Sequence, residues 1–178
     1  MKHFTKSGAT NVKRFFPVFL AAITLNTLLI AQSMKLPSAG RFILPVSLGK
    51  ELLAQCSRPN PGANSQFWQP SSADIDVLET ALDKYVAERE KAGKEIPPKN
   101  LAYHRQYVGF IRHSDSGHEP VRLIYGNFYP EGILSELRGN HNESTEVVDI
   151  CDGGSALWGV VYRVSNKTFE NLAFNGPG

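Results

Sequence analysis

The sequence predicts an α+β fold in which one long amphipathic helix packs on a curved antiparallel sheet of about five strands. Three observations support this prediction. Apolar residues recur at helical spacing over residues 72–92. After residue 100 the chain consists of short runs rich in aromatic and β-branched residues, separated by turn residues. Helical and strand patterns do not alternate along the chain, which is typical of an α+β fold.

The first 33 residues have the pattern of an export signal. Four basic residues and no acidic one accompany an apolar run at 15–31, and Ala31-Gln32-Ser33 provides a small-residue cleavage site. Cleavage is therefore predicted before Met34, with the protein periplasmic or secreted. The alternative is that the apolar run remains as an N-terminal membrane anchor, although a span takes about 20 residues.

The charge balance changes when this leader is set aside. The whole chain has 19 basic and 17 acidic residues, and the leader holds four of the basic ones, so 15 basic and 17 acidic residues remain, a net charge of −2. No nucleic-acid partner is predicted, because the remainder contains no basic run. Its 145 residues suit one domain. We expect an irregular N-terminal segment at 34–66 and an α+β domain at 67–178.

Two cysteines, Cys56 and Cys151, follow the leader. An even number of cysteines in an exported protein predicts a disulfide. The alternative is a pair of free buried thiols. The predicted bridge would tie the N-terminal segment to the sheet.

The N-terminal segment is predicted to be irregular because prolines punctuate it, with a short helix at 46–55. The long helix that follows has clear end signals. Ser71 or Ser72 can cap it, and Asp74 and Asp76 favour its positive N-terminal end. Gly93 supplies the left-handed residue after the helix, and prolines 97 and 98 prevent continuation. Five strands are predicted, at 103–113, 120–129, 145–151, 157–164 and 168–174.

The predicted arrangement resembles the cystatin-like and NTF2-like folds, in which a sheet wraps around a helix. Gln106-Tyr107-Val108-Gly109 is one residue shorter than the cystatin loop Q-x-V-x-G, so protease inhibition is not carried over. Several sequence stretches resemble an uncharacterised family of small exported bacterial proteins. This resemblance implies a bacterial envelope or secreted origin and does not indicate which activity the protein has. These stretches are 68–70, 105–109, 124–129, 151–154, 158–160 and 174–176.

Groups that could support catalysis are few. His113, Asp115 and His118 lie close together in sequence, but they are ordinary residues of a turn, and no further strong metal ligand is identifiable. Asp149 and Asp152 lie close to Cys151 in sequence. Carboxylates at such positions are usually part of a solvated surface and do not by themselves indicate catalysis. The chain lacks nucleophile, phosphate-binding and dinucleotide-binding motifs. No metal, cofactor or catalytic residue is therefore predicted.

Aromatic residues and arginines are interleaved on the predicted strands. They suit a recognition surface, and Arg105, Gln106, Tyr107 and Tyr125 are the predicted binding residues. The alternative is that these aromatic side chains form the core of the sheet. We therefore expect a non-enzymatic exported binding protein, for example an inhibitor or an immunity-type protein that recognises another protein. The alternatives are a small envelope hydrolase that uses acidic or histidine residues, and a structural envelope component held by an uncleaved leader.

Overall fold

The computed structural model describes residues 35–113, 119–137 and 140–176. It confirms the α+β class. In chain order the elements are β1 (Ser38–Ile43), α1 (Gly49–Leu53), β2 (Gln66–Trp68), α2 (Ser72–Lys91), β3 (Tyr103–Arg112), β4 (Val121–Pro130), α3 (Ile133–Leu137), β5 (Trp158–Arg163) and β6 (Thr168–Phe174). The predicted leader and the predicted turn at 114–117 lie outside the described residues. Within the described ranges, no helix is long and apolar enough to span a membrane.

The sheet has six strands and is mixed. Its order is β1-β3-β4-β5-β6, and β2 pairs with the same edge of β3 farther along that strand. β1 runs parallel to β3, and the other pairings are antiparallel. The prediction of a purely antiparallel, curved sheet is corrected to this mixed arrangement. Because the long connection from β1 to β3 contains α2, the chain can re-enter the sheet in the same direction.

Two segments differ from the sequence prediction. The N-terminal segment is not irregular throughout, since it contributes β1 to the sheet. The third strand predicted at 145–151 is wrong, because those residues are not in a strand. Side-chain amides take the place of a backbone ladder there. Gln106 donates to the carbonyl oxygens of Glu143 and Glu146 and accepts from the Val148 amide, and Asn127 donates to the Val148 carbonyl oxygen.

Helix α2 begins and ends at the residues that carry the predicted signals. The Ser71 hydroxyl accepts from the Asp74 amide at 3.2 Å, and the Asp74 carboxylate accepts from the Ser71 amide at 2.8 Å, which completes a capping box. Gly93 follows the helix with a φ of +65°, a left-handed conformation that glycine adopts without strain. Local sequence therefore fixes the extent of this helix.

The core lies on both faces of the sheet. Helix α2 buries Ile75, Leu78, Leu82 and Val86 against one face. The sheet residues in that cluster are Tyr103, Tyr107, Ile124, Phe128, Trp158, Val160 and Tyr162. The opposite face is covered by the N-terminal segment, which places Leu44, Leu52 and Leu53 against Val108, Phe110, Leu123, Tyr125 and Val161.

The predicted disulfide is confirmed. Cys56 and Cys151 are bonded, with their Cα atoms 5.1 Å apart and the two residues 95 positions apart in sequence. Next to the bridge, the Cys56 amide donates to Asp149 Oδ1 at 3.1 Å. The bridge therefore fastens the chain that covers the second face of the sheet to the irregular segment before β5.

Candidate functional site

The four residues predicted to bind a partner are all buried. Arg105, Gln106 and Tyr107 are consecutive on β3, and Tyr125 lies on β4. Because side chains alternate along a strand, Arg105 and Tyr107 point to the face covered by α2, while Gln106 points to the other. The structure therefore does not bring these four side chains together at one exposed surface, and their role in binding stays a prediction.

Arg105 and Tyr107 belong to an ionic network beneath a groove between β1 and α2. Arg105 Nη1 lies 3.0 Å from Glu79 Oε1, and the Tyr107 hydroxyl donates to the same oxygen at 3.0 Å. Arg105 Nη2 also donates to the Leu36 carbonyl oxygen at 3.0 Å. Burial raises the pKa of Tyr107 well above its ordinary value, so its phenol stays protonated. These bonds join β3 to α2 and to the chain just before β1.

The groove above this network is open and charged, with a volume of about 830 Å³. Arg41 at its rim pairs with Asp76, and Asp83 accepts a hydrogen bond from the Leu36 amide at 3.0 Å. Several charged groups that line the groove are therefore already engaged within the chain. Nothing in this arrangement selects one sign of charge in a ligand.

Tyr125 lines a second cavity, on the face of the sheet opposite α2. The cavity has a volume of about 400 Å³. It is lined by Arg58, Pro59, Asn60, Pro61, Tyr125, Gly159, Val161, Asn171, Leu172 and Ala173. Most of these residues come from the loop after the bridged Cys56 and from strands β5 and β6.

Arg58 is the unusual residue of this cavity, because only 6% of it is exposed. Its Nη2 donates to Gln55 Oε1 at 2.7 Å and to Asn127 Oδ1 at 2.6 Å. Its Nε and Nη1 are buried and have no hydrogen-bond partner in the part of the chain that the structure describes. None of the ion pairs found among those residues includes Arg58. A buried cation with open donors is uncommon in a folded protein.

The donors of Arg58 and Tyr125 converge over a glycine. A Cβ atom on Gly159 would lie 2.3 Å from the Tyr125 hydroxyl oxygen and 2.5 Å from Arg58 Nη1, both too close. Only glycine therefore leaves room for both groups over this point of β5. The β5–β6 pairing shifts register between Gly159 and Val161, and Asn171 on β6 has a φ of +53°. The edge of the cavity is thus formed by an irregular stretch of strand.

The electrostatics of the cavity favour an anion. Burial lowers the pKa of the Arg58 guanidinium, and electrostatic interactions with Tyr125 and Asp149 offset part of that effect. Burial also raises the pKa of Tyr125 above its ordinary value, which keeps its hydroxyl protonated as a potential donor. Because an arginine stays charged at neutral pH, the wall of the cavity contains one positive charge, with two unpartnered N–H groups buried beside it.

The groups considered for catalysis serve other purposes or lie apart. His113 is exposed, while Asp115 and His118 lie outside the described residues. Asp149 accepts from the Cys56 amide, and Asp152 is exposed. Among the described residues, no three histidine, cysteine or acidic side chains are grouped as a metal site would require. The structure therefore brings no such constellation together within those residues.

Arg58 is not among the binding residues that the sequence predicts, because its proline-rich surroundings are typical of a loop. One signal was available. Residues 52–73 contain no aspartate or glutamate, so Arg58 has no acidic partner near it in sequence. Comparison with protein-family models, with curated proteins and with solved structures gave no match.

Proposed function

We propose that this chain is a non-enzymatic exported binding protein that recognises another protein and seats an anionic group of that partner on Arg58. The observation that carries the proposal is the buried guanidinium with open Nε and Nη1 groups at the wall of a cavity. An inhibitor or an immunity-type protein would act in this way, since it needs a binding site and no reacting groups.

In the free protein, the unpartnered donors of Arg58 carry an energetic cost. A buried polar group without a partner costs about 1–3 kcal/mol, and more if it is charged. A partner that supplies an anion to Nη1 would remove this cost on binding, so the open donors favour the complex. Asn127 and Gln55 hold Nη2 in place, which limits the freedom that the side chain would lose.

Export is supported by the disulfide. A bond between Cys56 and Cys151 is stable where thiols oxidise, as outside the cytoplasm. Mass spectrometry of the protein purified from its host envelope tests the rest of this part of the proposal. A mature N terminus at Met34 is expected, and a full-length reduced chain in the cytosol would contradict export.

Partner binding is tested by cross-linking and affinity capture from the same envelope fraction. The wild type, Arg58→Gln, Arg58→Lys and Arg41→Gln would be compared, and captured proteins identified by mass spectrometry. Arg41→Gln is the matched control, because it removes a cation from the other groove. We expect one protein to be recovered with the wild type and the control, and at least 10-fold less of it with Arg58→Gln.

Thermal melting of each variant separates a lost contact from a lost fold. If Arg58→Gln melts well below the wild type, its loss of capture could result from unfolding. Arg58→Lys, which keeps the positive charge, is then the variant to compare with the wild type. Recovery of the same protein by all folded variants would contradict a role for Arg58. Loss of capture with Arg41→Gln alone would move the binding site to the groove between β1 and α2.

A further inference from the structure

We infer that the cavity at Arg58 takes a monocarboxylate carried on an apolar body, such as the chain end of a protein whose last residue is hydrophobic. This inference rests on the proposed function, because it names the chemical group that the partner would present. A small organic acid with an apolar body has the same chemistry and is the second possible source.

Charge balance argues for a monoanion. The cavity wall carries one guanidinium, and Asp149 is close enough to act on it electrostatically. Because Asp149 already opposes that single positive charge, the ligand that fits is the one that adds the least negative charge, and a carboxylate adds only one. A phosphate monoester carries a charge of about −1.5 to −2 at neutral pH, so it would leave excess negative charge in a buried place.

The arrangement of donors leads to the same group. Nη2 is already bonded to Gln55 and Asn127, so Nε and Nη1 are the donors of Arg58 that remain for a ligand. Nη1 and the Tyr125 hydroxyl approach the same point over Gly159. Two donors at one point suit the two oxygens of a carboxylate.

The rest of the lining is suited to an apolar body. Apolar residues line the cavity from both the loop and the strands, namely Pro59, Pro61, Val161 and Ala173. The cavity volume of about 400 Å³ lies in the range of about 300–1,000 Å³ that is common for small-ligand sites. Asn60 and Asn171 lie beside these residues and can meet the polar atoms of a peptide backbone.

The experiment is isothermal titration of the mature, disulfide-bonded protein with defined probes. N-acetyl-leucine is compared with N-acetyl-leucinamide, which has the same body without the charge. Acetate and inorganic phosphate test the charge without the body. A five-residue peptide that ends in leucine is used as the free acid and as the amide. We expect the two leucine acids to bind at least 10-fold more tightly than their amides, acetate and phosphate.

Two conservative variants locate the binding. Tyr125→Phe removes one hydroxyl and keeps the ring, so it should weaken acid binding several-fold without changing the affinity for the amides. Tyr162→Phe is the control, because its hydroxyl is buried on the face covered by α2 and has no hydrogen-bond partner among the described residues. Arg58→Lys should weaken acid binding at least 10-fold. Acid binding that is unchanged in both Arg58→Lys and Tyr125→Phe would overturn the inference.

The outcomes separate this inference from the proposed function. Equal binding of acids and amides, or tighter binding of phosphate, overturns the carboxylate inference. Arg58-dependent capture of a protein partner would still stand in that case. Binding of N-acetyl-leucine without the peptide acid supports the carboxylate and identifies small organic acids as its source, which contradicts the proposed protein partner. Binding of the peptide acid supports the chain end.

Discussion

Asn127 accepts a hydrogen bond from Arg58 Nη2 at 2.6 Å, although the two residues are 69 positions apart in sequence. The same carboxamide donates to the Val148 carbonyl oxygen at 2.8 Å. One buried side chain on β4 therefore connects the loop after Cys56 with the segment before Cys151. The disulfide joins the same two parts of the chain covalently.

Replacement of Asn127 is expected to destabilise the protein. Asn127→Ala would leave a buried Nη2 hydrogen atom of Arg58 and the Val148 carbonyl without their partner. Each unsatisfied buried group costs about 1–3 kcal/mol, so we expect the free energy of unfolding to fall by about 2–4 kcal/mol in urea titrations. Asn100→Ala, at an exposed position, is the control and should change it by less than about 0.5 kcal/mol. A loss as small as the control's would show that the amide of Asn127 is replaceable.

Removal of either cysteine is expected to have the same effect. Cys56→Ser and Cys151→Ser each open a link across 95 residues, which the loop-entropy model values at about 4–5 kcal/mol. Scanning calorimetry should show similar falls in melting temperature for the two variants and for the reduced wild type. Free thiols in the purified wild type, or clearly unequal falls for the two variants, would contradict this expectation.

The ion pair between Arg105 and Glu79 is expected to matter for folding. Arg105→Met would leave Glu79 partly buried without its closer cation, since Arg41 lies 3.8 Å away, and loss of one partner of a buried pair costs about 3–5 kcal/mol. The double variant with Glu79→Leu should lose less than the two single variants together, as a double-mutant cycle in urea would show. Arg163→Met is the control, because its pair with Glu170 is more exposed and should contribute at most about 1 kcal/mol. Additive losses would contradict direct coupling.

Stability is expected to fall in alkaline solution because buried tyrosines resist ionisation. Burial raises the pKa of Tyr103 from 10.0 to about 12. The folded state thus holds the phenol proton above about pH 10, where the unfolded chain releases it. The stabilisation is complete below about pH 10 and is lost as the pH rises towards 12. Urea titrations at several pH values should show this slope, and Tyr103→Phe should reduce it. A slope that the variant does not change would assign the effect to other groups.

Local sequence patterns predicted those helices and strands whose start, end and periodicity signals lie within a few residues of one another. The capping box at Ser71, the apolar face of α2 and Gly93 after it are all encoded next to one another, and the helix has the expected extent. The two strands of the hairpin, β3 and β4, follow from runs of aromatic and branched residues. The segment 145–151 shows where such patterns fail. Its residues favour a strand, but two side-chain amides from the sheet satisfy its backbone instead.

The candidate site was harder to predict because its parts are distant in sequence. Tyr125 was among the predicted binding residues, and the structure places it beside Arg58 at the cavity. Arg58 itself stands in a proline-rich loop, where an exposed arginine is the ordinary expectation. Its burial depends on Leu52 and Leu53 packing against the sheet and on Asn127 accepting its Nη2. The residues next to Arg58 in sequence do not show that Leu52 and Leu53 pack on the sheet beside it or that Asn127 accepts a hydrogen bond from it.

The sequence by itself determined the α+β class, the helix with its ends and the pairing of the two cysteines, because each follows from neighbouring residues or from a count. Tertiary structure alone decided that β1 joins the sheet in parallel and that Arg105 and Tyr107 are buried on Glu79. It also decided that Arg58 is buried beside a cavity, with two donor groups that have no partner among the described residues. The physical reason is that burial and hydrogen bonding belong to pairs of residues. Which residues become neighbours across the sheet is settled only when the whole chain packs.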